Sequence, residues 1–461
     1  MRNRNGETIM NDTRTPLTRR RHFGWQLMVL ASLVAALPAC ESLLDVKAPG
    51  RVSFDPLTRP GGATLLVNSA RVAFECAFDS YIVAGGLMGN ELEDSQLSAA
   101  LWSYNRRSWE PAGGQYATGG CDGGTVSGHG VYTPLQTAVL MADTAVTILE
   151  GFSDAEVQNR AELLATASAY GGYSVLLLGE AMCEAPLKGG ASLTSEQLFQ
   201  EAEARFSRAL SGAPSAAIRG LALVGRARAR FNRGDAAGAL SDARAVTPGF
   251  EYHATYASTG LRESNRVERS NNFNRWVSVA APYQTLTVEA NGTLSRNGSI
   301  PDPRVPVTNT GALAQDQTTT LWTQGKYIAR DQSIPIARHT EAQLIIAEIE
   351  LGATAVNIVN ALHAAAGLPA WTPANLSDDL EILNQVIGER FRETFLESHN
   401  YFLLRHYHRV AASRGVSPAA LNVSVPYFPA VGAPFKNGGV HGDMPCLPLP
   451  DAERLNNPNI P

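Results

Sequence analysis

Trp102, Tyr104 and Trp109 fall in one short stretch, close to Asn90, Glu91, Asn105, Arg106 and Arg107. Flat rings cover the apolar face of a pyranose ring, while amides, carboxylates and guanidinium groups select its hydroxyls. The cluster runs into residues 111–130, which hold eight Gly, too many for a regular element, and so read as a surface loop. Trp276 beside Arg275 and Trp322 beside Gln324 repeat the pairing of ring and polar group further along. The expected ligand contacts are therefore Asn90, Glu91, Trp102, Tyr104, Trp109, Trp276 and Trp322. The competing reading makes the same rings anchors that tie long loops to the helices.

Catalytic chemistry finds less support. Glu91, Glu93 and Asp94 are neighbours in sequence, and a glycoside hydrolase needs two carboxylates flanking one bond. Carboxylates this close along the chain more often cap or solvate an element. His399 and His406 are seven residues apart, and His408 falls on another helical face. No H-E-x-x-H, G-x-S-x-G or P-loop pattern occurs. Glu389, Arg390, Arg392 and Glu393 share one amphipathic helix and read as structural, with helical neighbours offsetting their charges. The sequence predicts no enzyme, no metal site and no cofactor.

Composition sets the frame for these residues. The 461-residue chain is 44% hydrophobic and 18% charged, the balance of a folded globular protein. Its net charge is −5. Residues 1–39 set six Arg against Glu7 and Asp12, a net of +4 that leaves −9 for the rest. An acidic body argues against tracking nucleic-acid phosphates. Arg19-Arg20-Arg21, the apolar stretch from Phe23 to Ala36 and Leu37-Pro38-Ala39-Cys40 together form an export signal over residues 1–39. The last four residues resemble a bacterial lipobox, which makes Cys40 the expected lipidation site and mature N-terminus. The mature chain is then anchored to a membrane without crossing it. Either Met1 or Met10 suits as the start, and the paired Arg residues leave the export route open. Cys76, Cys121, Cys183 and Cys446 suit a compartment that permits disulfides. Sequence allows three pairings, with Cys76–Cys121 slightly preferred.

The elements that must carry these residues are mainly helical. Apolar positions recur at helical spacing over residues 63–87, 132–151 and 155–179. Thr194-Ser195-Glu196-Gln197 reads as a capping box that opens another helix. Two small-residue helices, around 221–231 and 235–245, meet at Asn232-Arg233-Gly234-Asp235 and resemble a tetratricopeptide pair. Helices are expected again over 339–351, 353–366 and 378–410. Residues 88–131 and 250–335 read as irregular, and stretches this long are usually functional.

Four segments in order give the chain a family resemblance. Leu44-Asp45-Val46-Lys47-Ala48-Pro49 follows the lipid site. Ala161-Glu162-Leu163-Leu164 through Gly179, then Pro186-Leu187, resembles a first repeat helix and its "FG-x-x-P" turn. Thr340–Glu348, Val359–Leu362, Ala366-Gly367-Leu368-Pro369 and Ile387–His399 form the strongest part. Leu447-Pro448-Leu449-Pro450 through Asn459 is close to a terminal "PIP-x-x-E-x-x-x-NP" pattern. Together they resemble the SusD/RagB family of outer-membrane nutrient-binding lipoproteins. The chain departs from it where "vR-x-RAGL" reads Leu362-His363-Ala364-Ala365-Ala366-Gly367-Leu368, and where the Gly and Arg of "EG-H-R" are Ser398 and Asn400.

The resemblance implies one mainly α SusD-like domain over residues 40–461. Tetratricopeptide-like helices at about 132–246 and 339–410 would support a ligand-facing half. It also implies capture of a nutrient, commonly an oligosaccharide, for a SusC-like TonB-dependent transporter at the outer membrane. The alternative is a tetratricopeptide-like lipoprotein that scaffolds other envelope proteins.

Overall fold

Helical periodicity becomes eleven labelled helices in the computed structural model, which describes residues 54–109, 112, 114–121, 129–417, 421 and 429–460. The leader 1–39, Cys40 and the Leu44–Pro49 segment lie outside these residues. The helices are α1 (Ala63–Met88), α2 (Trp102–Arg106), α3 (Tyr132–Glu150), α4 (Arg160–Ala181), α5 (Ser195–Ser211) and α6 (Ala216–Asn232). After them come α7 (Ala236–Arg244), α8 (His339–Glu350), α9 (Gly352–Ala366), α10 (Asp379–Glu393) and α11 (Asn400–Ser413). From α3 to α10 each helix packs on the next, the nearest-neighbour stacking of a helical repeat. Every residue from Ala73 to Met88 of α1 is buried, and this helix packs against α3, α4 and α11.

Small residues set how closely the repeat helices approach. A methyl group at Gly172 of α4 would stand 2.6 Å from the Phe206 ring, and one at Gly225 of α6 would stand 2.4 Å from it. The Phe206 ring of α5 therefore fills the space left by two glycines, edge-on to Tyr173 at 5.0 Å. The Thr194 capping box forms as predicted, the threonine side chain accepting from Gln197 N–H while the Gln197 side chain accepts from Thr194 N–H.

Two expectations need correction. The segment 250–335, expected to be irregular, carries short antiparallel strand pairs between its loops. Leu92–Asp94 pairs with Val277–Val279, Glu251–Ala254 with Ile334–Arg338, and Val307–Leu313 with Thr320–Gln324. Thr287–Val288 lies between Leu294–Ser295 and Ile300–Pro301. Strands this short hold too few residues to show a two-residue period. The predicted helix over 378–410 is two helices, because Leu396 (φ 54°) and Ser398 (φ 72°) adopt left-handed backbone that no α-helix tolerates.

Charged residues expected to interact along one helix interact across the fold instead. Arg304 ion-pairs with both Glu389 and Glu393, and with Asp302 at 2.7 Å, so a distant arginine offsets the glutamate pair of α10. Arg392 reaches Asp302 at 3.1 Å and Arg390 reaches Glu348 at 2.7 Å. His363, standing where the family pattern has its first Arg, meets Glu389 at 2.7 Å. Burial pulls the His363 imidazole down, but the hydrogen bond and charge of Glu389 lift it above its usual range.

Both cysteine pairs are bonded, Cys76 to Cys121 and Cys183 to Cys446. Cys183 also donates its N–H to the Leu447 carbonyl, fixing the terminal Pro-rich segment against the end of α4. Among the described residues, no helix is long and apolar enough to cross a membrane.

Candidate functional site

Three separated segments meet in one cleft. The first is the turn after α1, where Asn90 sits at φ 60°, a conformation that asparagine accepts more readily than most side chains. The second is α2, which ends in Arg106 and a left-handed Arg107 (φ 52°). The third is a hairpin over residues 433–441, closed by a bridge between Pro434 and Val440 and a Phe435 N–H bond to the Gly439 carbonyl at 3.1 Å. Gly442 donates its N–H to the Arg106 carbonyl at 2.7 Å, and the Arg106 guanidinium lies 5.8 Å over the Phe435 ring. The hairpin is thereby pinned over α2.

The cleft measures about 360 Å³ and is lined by Asn90, Glu93, Asn105, Pro282, Phe435, Lys436 and His441 among others. Lys436 lies 3.5 Å from Glu93 and 3.7 Å from Asp316, and donates to Thr319 Oγ1 at 2.6 Å. Burial pushes the Glu93 carboxyl above its usual range, with Lys436 acting against it. Burial also raises Asp316, yet the Thr319 hydroxyl and the Thr318 and Thr319 N–H groups hold it below the ordinary value. The floor is firm: Asn105 Oδ1 accepts from Asp94 N–H at 3.1 Å. Such a site offers amide, carboxylate, ammonium and imidazole groups over a few ångströms of apolar wall, which suits a polyhydroxylated ligand.

The expected ligand residues divide. Asn90 lines the cleft. Trp102 is half-buried and stands behind the cleft wall, its ring 6.4 Å from Phe435. Trp322 is half-buried on the strand Thr320–Gln324, where its N–H donates to Ser278 Oγ, and Ser278 is the register partner of Glu93. Four residues are corrections. Tyr104 is fully buried, with its hydroxyl donating to the His129 carbonyl. Trp109 and Trp276 are core residues, 5% and 9% exposed. Glu91 is buried, and its carboxyl oxygen accepts the Leu396 N–H at 2.9 Å instead of facing solvent. All four are buried side chains that do not line the cleft.

No two carboxyl groups of the Glu91–Asp94 segment face one another across the cleft. Glu91 is tied to Leu396, Glu93 to Lys436, and Asp94 is buried. His399 lies in the core between Arg228 and Glu341, and His406 bonds Glu348 at 2.8 Å. Among the described residues, no group of three or more His, Cys, Asp or Glu is arranged to hold a metal ion. Phe435, Lys436 and His441 were not expected at the site. They lie in a tail whose composition shows only that it is not helical, and no local pattern ties them to α2.

No family model and no curated protein sequence matches the chain. Solved structures do match. A SusD-like protein from Bacteroides fragilis superposes with a TM-score of 0.63 at 11% identity, covering 89% of this chain and 98% of the other. A SusD superfamily protein from Parabacteroides distasonis gives 0.60 at 12% identity, covering 89% and 99%. A laminarin-binding SusD-like protein gives 0.51 at 14% identity, covering 86% and 98%. At these identities the likeness is one of fold: the chain has the mainly α SusD-like fold.

Proposed function

Taking the SusD-like fold as premise, we propose that the protein is a non-catalytic binding protein. It captures an oligosaccharide in the cleft between Asn90 and the 433–441 hairpin. It presents that ligand to a SusC-like TonB-dependent transporter while anchored at the cell surface of the outer membrane through lipid on Cys40. The observation that carries the reading is the cleft itself, a preformed site of about 360 Å³ with Asn90, Glu93, Lys436 and His441 converging on it. The pairing of Glu93 with Lys436 suits hydroxyl recognition, since the carboxylate keeps further accepting capacity without carrying an unpaired charge. The name of one structural relative, a laminarin-binding protein, supports the same ligand class.

Calorimetric titration against a panel of neutral and acidic oligosaccharides tests the reading. Asn90→Gly keeps the left-handed backbone and removes only the amide; it should weaken the best ligand about tenfold with an unchanged melting temperature. Phe435→Ala, which removes the ring that lines the cleft, should weaken it by roughly 1–3 kcal/mol, the usual contribution of an aromatic anchor. Full affinity in both variants would move the site elsewhere. Absence of any glycan binding, together with stable recovery of envelope proteins from detergent extracts, would favour the scaffold reading. Cys40→Ala should release the protein from the membrane fraction, and unchanged fractionation would remove the anchor.

A further inference from the structure

Beside the cleft, and sharing Pro429 with it, lies a cavity of about 620 Å³ whose lining combines an apolar wall with Arg107, Arg405, His408, Arg409 and one acid, Asp443. We infer that this cavity holds the negatively charged substituent of the captured oligosaccharide, a uronate carboxylate or a sulfate ester, and so makes the protein selective for acidic glycans. The inference rests on the binding reading above and adds the ligand's charge to it.

Many buried arginines of this protein meet carboxylates. Arg226 and Arg230 share Asp242, Arg228 meets Glu180, Arg338 meets Glu397, and Arg390 meets Glu348. Arg405 and Arg409 behave differently. They lie one turn apart on α11, a like-charge spacing that costs a helix stability. Among the described residues neither has an ion-pair partner. Arg405 donates Nη1 to the Glu180 carbonyl at 2.7 Å, and both guanidinium groups sit over the buried Phe402 ring, at 5.6 and 5.4 Å. Arg107 completes the wall, its Nη2 donating to the Pro429 carbonyl at 3.1 Å. Burial pulls the guanidinium pKa of Arg107 and of Arg409 down, with Arg405 adding to the second. Positive charge gathered at this cost, on a chain that is acidic overall, suits an oxyanion that the planar guanidinium fork can chelate. Ring contacts with Phe402 orient the two α11 guanidiniums for that purpose before any ligand arrives. Because Pro429 lines both spaces, one extended ligand can place a neutral ring in the cleft and a charged substituent against the arginines.

The test is calorimetric titration of the full chain with tetragalacturonate, with the same oligosaccharide after reduction of its carboxyl groups, and with a sulfated galactan oligosaccharide. One acidic probe should bind about tenfold or more tightly than the reduced one, and the tighter acid identifies the oxyanion. Arg405→Gln/Arg409→Gln should remove that preference while leaving the affinity for the reduced oligosaccharide unchanged. Arg409→Gln alone, at the more exposed of the two α11 residues, should remove part of it in a protein with the parent melting temperature. Equal affinity for acidic and reduced probes overturns the inference and leaves the binding reading standing, as does an acid preference that survives both variants. Failure of every probe and of the wider glycan panel overturns the binding reading as well.

Discussion

Glu91→Gln separates a buried structural carboxyl from a ligand contact. The Glu91 side chain is 1% exposed, and its Oε1 accepts the Leu396 N–H at 2.9 Å. Burial pushes its pKa from the usual 4.5 up to about 8, against the pull of the Leu396 N–H and of Lys326. Folded, Glu91 therefore keeps its proton at neutral pH, whereas the unfolded chain has lost it. A carboxyl that binds its proton more tightly when folded contributes stability in full below the unfolded value, near 4.5. That contribution falls by about 1.4 kcal/mol per pH unit until pH passes the folded value, near 8. Between about pH 5.5 and 7.5 the loss comes to roughly 2.5 kcal/mol. Glutamine keeps the shape and the oxygen that accepts from Leu396 but has no proton to lose. Urea unfolding of both proteins at the two pH values should therefore show the variant gaining roughly 2.5 kcal/mol on the parent as pH rises. Glycan affinity should stay unchanged. Parallel stability profiles would refute the buried-acid assignment, and a loss of affinity at equal stability would restore Glu91 to the ligand face.

Two further outcomes are expected. Ser398 occupies the left-handed position (φ 72°) where the family pattern has Gly, and its buried hydroxyl has no hydrogen-bond partner among the described residues. Ser398→Gly should raise stability by about 1 kcal/mol in urea unfolding, after allowing for the greater freedom of unfolded glycine, and a loss would show that the strain is not real. Replacing Cys183 and Cys446, which close a 263-residue separation, should lower unfolding stability by about 4 kcal/mol, and an unchanged urea midpoint would show the crosslink to be dispensable.

The helices were legible in the sequence because burial on one face imposes a period, and α1, α3 and α4 begin and end within a few residues of where that period places them. The break inside the predicted 378–410 helix was not, since Leu396 and Ser398 are ordinary residues whose left-handed backbone is set by packing. The site was half legible. Trp102 and Tyr104 look alike in sequence, yet residues two apart on a helical turn point roughly oppositely, so one stays half-exposed while the other enters the core. Long-range contacts hid the rest. Phe435 and Lys436 reach the cleft from a tail more than three hundred residues beyond α2, joined to it by hydrogen bonds such as Gly442 to Arg106. Likewise Arg304, unremarked in sequence, neutralises two glutamates of α10 from a loop far upstream.

A crystal structure of the protein with the tightest oligosaccharide from the binding panel tests the central claim most directly. Sugar density should fill the cleft between Asn90 and the 433–441 hairpin, with ring hydroxyls within hydrogen-bond reach of Asn90, Glu93 or Lys436. Density on the helical repeat instead, with this cleft still empty at saturating ligand, would contradict it.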